Sequence, residues 1–217
     1  MSVVREEFGP TLPELLGPRL HLRVRTVWLG LAAVGLLAVA VAAWLSVRPD
    51  PGRTQVIVRT PVTFNLLYTD AVRRVAPRTG ELLRLQSRSG PPQSAAIRPL
   101  RLPAYGGDVN GYLTLLSARL IEEMSSSYAG FAYRGDGRVS INKQPGYQIV
   151  FQARIGGRTT YGKRVLLVAT ATPSPHEGLD MTFLASRSAA MPNADAVAAN
   201  GGLKIPYRSV RFGTDRP

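Results

Sequence analysis

Residues 154–165, RIGGRTTYGKRV, hold four cations, Arg154, Arg158, Lys163 and Arg164, and three glycines. Cations among glycines can grip phosphate, because backbone N–H groups of a glycine loop line up on the oxygens while Lys or Arg neutralises them. Phosphate loops of this kind leave a strand and open a helix, with spacing GxxxxGK[ST] or GxGxxG. Neither spacing occurs here, and the residues after the glycines return to a strand-like alternation. Gly156 and Gly157 therefore read as the turn of a β-hairpin, where glycine supplies positive φ without steric cost. The four cations remain as a candidate anionic contact on a basic hairpin, and basic residues of the domain interleaved with Tyr133, Tyr147 and Tyr161 offer charge with candidate stacking partners. Arg158 and Lys163 are placed at or beside the turn. There, replacement of either by alanine is expected to change stability by no more than about 0.5 kcal/mol.

Other chemistry is sparse. The absence of cysteine excludes disulfides, thiol nucleophiles and Cys-ligated zinc. His21 and His176 are the two histidines, too few for a histidine-built metal site and a poor start for a Ser-His-Asp triad. Glu122 and Glu123 are adjacent on a predicted helix and diverge by about 100°, so they do not form a dyad. Ser125, Ser126, Ser127, Asp136 and Asp180 are hydrolase candidates by type, but no GxSxG elbow frames any serine. No catalytic residue, metal site or cofactor is expected.

The charge balance is 27 Lys+Arg against 14 Asp+Glu, formally +13, and all but Lys143, Lys163 and Lys204 are arginines. An excess of this size attracts anionic surfaces without specifying a fold. The other global feature is the run 27–47, VWLGLAAVGLLAVAVAAWLSV, with no charge and no proline. As a helix it would extend about 30 Å, the thickness of the hydrocarbon core of a bilayer. Trp28 and Trp44 lie near its ends, where indole favours the headgroup region. About 25 residues precede the run, and it exceeds the usual 7–15-residue apolar region of a signal peptide, so a retained single-pass anchor is expected. Arg19, Arg23 and Arg25 precede it, against Arg48, Asp50 and Arg53 after it. The positive-inside rule then puts the N-terminus in the cytoplasm and the rest outside the plasma membrane.

The expected organisation is a cytoplasmic stub 1–26, a transmembrane helix 27–47, a linker 48–54 and an extracytoplasmic domain 55–217. Alternating apolar residues predict strands over 55–59, 64–69, 81–88 and 95–102, then a helix over 108–126 with its stripe on Leu113, Leu116, Leu120 and Met124. A meander follows, in which Tyr147, Ile149, Phe151, Ala153 and Ile155 alternate on one strand. Val165, Leu167 and Ala169 follow on the next, and Leu179, Met181, Phe183 and Ala185 on a third. Residues 193–200 are expected as a short helix stopped by Gly201-Gly202, and YRSVRFG as extended chain. Hairpin-rich strands with few helices predict an α+β domain with a mainly antiparallel sheet.

This order of elements resembles the Mog1/PsbP-like fold, an α/β/α sandwich also found in bacterial envelope lipoproteins. The resemblance is carried by FNLLYT, GYQIVFQARIGGRTTYGKRVLLVA, EGLDMTFLAS and LKIPYRSVRFG, over roughly residues 55–213. It implies a sheet flanked by helices and an accessory or binding role in a larger assembly, not a particular ligand. The expected function is thus a membrane-tethered extracytoplasmic binding module with a protein partner in the envelope. The alternative is a basic domain that holds an anionic polymer, nucleic acid or acidic wall polymer, or lipid headgroups.

Overall fold

The computed structural model describes residues 27–29, 31–40, 52–103, 108–169 and 177–215. The chain divides into two units, residues 1–51 and 52–217. In the first, residues 27–29 and 31–40 are helical with exposed side chains. Among the described residues, no helix is long and apolar enough to cross a membrane. The stub 1–26 and the remainder of the apolar run, residues 41–47, lie outside the described residues.

The second unit contains β1 (Arg53–Val58), β2 (Phe64–Thr69), β3 (Val72–Val75), β4 (Leu83–Ser87) and β5 (Gln93–Arg101). The helix α1 (Val109–Ser127) follows, then β6 (Ala132–Ile141), β7 (Gln144–Ile155), β8 (Arg158–Val168) and β9 (Glu177–Ser186). The short helix α2 (Lys204–Ser209) and β10 (Arg211–Phe212) close the fold. Seven strands form one antiparallel sheet in the order β3-β4-β5-β9-β8-β7-β6, and β1-β2-β10 form a second, small sheet.

The topology follows from one crossover. The meander β3-β4-β5 ends in the middle of the large sheet, and α1 carries the chain over to the far edge, where β6 begins. The meander β6–β9 then works back until β9 pairs with β5. Strand alternation separates the two faces of this sheet. Leu83, Leu85, Ala95, Ile97, Val165, Leu167, Leu179, Met181 and Phe183 pack on one face with Val56, Phe64 and Leu66 of the small sheet and with Leu203 and Val210. On the other face, Tyr147, Ile149, Phe151, Leu166 and Val168 pack with Leu113, Leu120 and Met124 of α1. The α1 stripe at i, i+3, i+7 and i+11 is the one that the sequence predicts, and Glu122 and Glu123 are exposed.

Two details of the expected fold are corrected. The second cover of the sheet is built mostly from strands, the small sheet together with α2, rather than from helices alone. Residues 193–200 are a series of turns, with Val197 N–H on Ala194 O and Ala199 N–H on Ala196 O. Ala198 is at φ 61°, a left-handed conformation that ends any helix there. The helix instead forms one segment later, over 204–209, of which only 207–209 belong to the stretch expected as extended; Arg211 and Phe212 of that stretch are a strand. Leu203, Pro206 and Val210 are buried at i, i+3 and i+7, and the missing N–H of Pro206 costs nothing in a first helical turn.

Candidate functional site

The hairpin behaves as the sequence predicts at its tip. Gly156 (φ 57°) and Gly157 (φ 76°) are both left-handed, and β7 and β8 pair from Ile155↔Arg158 inward. The four cations nevertheless do not come together. Arg154 and Arg158 are exposed near the turn. Lys163 lies five residues along β8, 7% exposed, on the face that carries the main core. Its Nζ is 3.4 Å from Asp195 O and 5.7 Å from the centre of the Tyr207 ring. Burial lowers its pKa, and the nearby Asp195 carboxylate partly offsets that.

Arg164, next in sequence, points to the opposite face and forms a bidentate pair with Asp180, Nε to Oδ1 at 2.9 Å and Nη2 to Oδ2 at 2.7 Å. Burial opposes its charge, but the hydrogen bonds and the charge of Asp180 outweigh it and raise its pKa. The tyrosines turn to other partners. Tyr133 and Tyr147 both donate to Asp136, and Tyr161 is buried with its hydroxyl on Pro192 O.

Lys163 is therefore a packing residue, and the expectation of a neutral alanine replacement is corrected. Lys163→Ala removes a buried aliphatic stem and is expected to cost about 2 kcal/mol. Lys163→Met keeps the stem without the desolvated charge and should stay within about 1 kcal/mol of wild type. Denaturant midpoints of the two variants make the comparison. Equal midpoints for Lys163→Ala and wild type would contradict the assignment.

A different site emerges from the topology. The helix α1 packs mainly on β7 and β6; on the same face Leu100 of β5 and Leu184 of β9 join the edge of its apolar cluster, while the rest of β4, β5 and β9 lies beside the helix. Along those strands the residues facing the core are buried, whereas Arg84, Gln86, Ser94, Ala96, Thr182 and Leu184 on the reverse face are only half-buried. The result is a cleft with two lobes of about 360 and 530 Å³ that share Gln86, Ser94, Ile155 and Leu184. Six arginines belong to it, Arg78, Arg84, Arg98 and Arg164 in one lobe and Arg88 and Arg158 in the other. Two carboxylates pair with them, Glu81 and, through Arg164, Asp180, and the charge of Glu123 also reaches Arg164, so the cleft keeps a net positive excess.

Glu81 anchors this arrangement. Its side chain is fully covered and accepts from Arg84 Nε at 2.7 Å and from the backbone N–H of Arg78 at 2.9 Å, while Arg98 Nη2 lies 3.8 Å away. The Arg84 hydrogen bond does most to hold the Glu81 carboxyl below the ordinary carboxylate range. Burial opposes this, and the Arg78 N–H and the charges of Arg84 and Arg98 add to it. Thus Arg84 and Arg164 stand oriented by fixed carboxylates, while Arg98, whose side chain is 53% exposed, stands on the rim. Of the four cations singled out in the sequence, Arg158 and Arg164 reach this cleft. Arg78, Arg84, Arg88 and Arg98 come from strands and loops 60 or more positions earlier in the numbering. The available signal was the arginine on alternate, non-core positions of β4 and β5, Arg84 and Arg98.

No family model matches the sequence, and no curated protein matches it significantly. The fold, however, is recognisable. Cyanobacterial PsbP (CyanoP) from Synechocystis superposes with a TM-score of 0.50 at 10% identity, over 77% of this chain and 96% of that one. LpqN, described as involved in cell envelope biogenesis of Mycobacterium tuberculosis, gives a TM-score of 0.47 at 13% identity, over 77% of this chain and 88% of that one. The chain has the Mog1/PsbP-like fold, with a mainly antiparallel sheet and few helices.

Proposed function

We propose that the protein is a single-pass, membrane-anchored extracytoplasmic binding module, an accessory component of an envelope or membrane assembly. The observation that carries this reading is the arginine-rimmed cleft. An open sheet face with oriented guanidinium groups and a positive excess is suited to hold an anionic partner surface rather than to transform a substrate. The tether is supported by the 21-residue apolar run 27–47 and its tryptophans, and the orientation by Arg19, Arg23 and Arg25 on the N-terminal flank. Protease added to intact spheroplasts should digest the chain beyond residue 48 and spare the stub. Protection of the C-terminal domain would overturn the orientation. Crosslinking in native membranes should then recover a protein partner.

A further inference from the structure

We infer that the cleft over β4, β5 and β9 docks an extended acidic segment of a protein partner. This deepens the binding-module reading and rests on it. The floor carries small side chains, Ser94, Ala96 and Thr182, so an extended chain can lie close to the sheet. Arg84 and Arg164 each bind their own carboxylate through Nε and Nη2, which fixes both guanidinium planes before any ligand arrives. Donors held in this way lose little side-chain entropy on binding. The rim cations Arg88 and Arg158 form no ion pair among the described residues, and Arg98 is only loosely held at 3.8 Å from Glu81. These exposed charges call for carboxylates on the ligand.

The same surface disfavours a continuous polyanion. Glu81 and Asp180 sit behind the two floor arginines and neutralise them, which leaves the positive excess at the rim. Single-stranded nucleic acid needs a succession of aromatic faces along its groove. Among the described residues, Tyr128 is the one aromatic side chain that lines the cleft, and Leu184 and Ile155 supply aliphatic surface that a phosphate backbone cannot use. Carboxylates for the rim and apolar side chains for Leu184, Ile155 and Tyr128 together describe an acidic, amphipathic peptide.

The test uses the full chain in detergent micelles and a fluorescent decapeptide of alternating Glu and Leu, with a thymidine oligonucleotide of matched charge as competitor. Arg98→Glu and Arg158→Glu are both on the exposed rim, and each should weaken peptide binding about tenfold. Arg138→Glu, exposed on β6 away from the cleft, makes the same change in net charge and should weaken it by less than about twofold. Equal losses for all three variants would reduce the effect to net charge and overturn the site. An oligonucleotide that displaces the peptide and shows the same dependence on Arg98 and Arg158 would make the cleft a polyanion site and overturn the peptide assignment. A photo-crosslinker at Thr182 and another at Leu115, exposed on α1, separate this proposal from the broader one in native membranes. Capture of a partner at Leu115 alone leaves the binding module standing and removes the cleft as its docking site, and capture at neither removes both.

Discussion

Phe151→Ala is expected to lower unfolding stability by about 3–5 kcal/mol, seen as a drop in the denaturant midpoint with little change in slope. Phe151 is fully buried between β7 and α1, with the Tyr128 ring centre at 5.4 Å and that of Phe131 at 5.7 Å. Its ring also lies over the strand partner Gly162, where an added Cβ would come within 2.2 Å of Cζ. Truncation therefore empties a volume enclosed by a helix, a loop and a neighbouring strand, none of which can close it without moving the others. The reciprocal change is informative. Gly162→Ala alone should be strongly destabilising through overpacking, whereas with Phe151→Leu the combined cost should fall well short of the sum. Additive losses would mean that the two residues do not share this space.

Glu81→Gln should cost about 3 kcal/mol at neutral pH, because it leaves the mostly buried Arg84 guanidinium without its counter-charge. The pH dependence gives a second check. The folded protein holds the Glu81 carboxyl below its ordinary range, so its contribution is complete above the unfolded pKa, about 4.3, and is lost as pH falls through the folded value. The gap between wild type and Glu81→Gln should consequently narrow as the pH falls below about 4. A gap that stays constant with pH would show that the pair contributes through shape rather than charge.

What could be read in advance was whatever repeats with a simple period. The alternation in β7, β8 and β9 and the stripe on α1 are both consequences of one buried face, and both stand in the structure. β6 was missed because it is an edge strand: AYRGDGRVSI carries two glycines and three charges and shows little alternation. The signal that could have found it is the turn after it, where Asn142 (φ 49°) and Lys143 (φ 67°) are both left-handed, as in a two-residue hairpin. Asn-Lys is a weaker cue than Asn-Gly, because lysine rarely takes the left-handed conformation that glycine adopts freely.

The cleft was illegible for a different reason. The basic hairpin draws attention because its cations adjoin in sequence, yet strand alternation sends Lys163 and Arg164 to opposite faces of the sheet. The arginines that do meet come from β4, β5, β8 and the loops on either side of β4. Their meeting depends on the β5–β9 pairing, a long-range contact that no local pattern announces.

The small sheet joins the first strands of the domain to the last. β10 pairs with β2, and Asn65 Nδ2 donates to Gly213 O and Asp215 O across a separation of 148 and 150 residues. At a synthesis rate of about 5–20 residues per second, roughly 7 to 30 seconds pass between the appearance of β2 and that of its partner. During that interval the free side of β2 and the apolar faces of Phe64 and Leu66 have no final place to go. A nascent chain must therefore wait in a partly ordered state, with an open strand edge for chaperones or for its own copies to find, until β10 has been made.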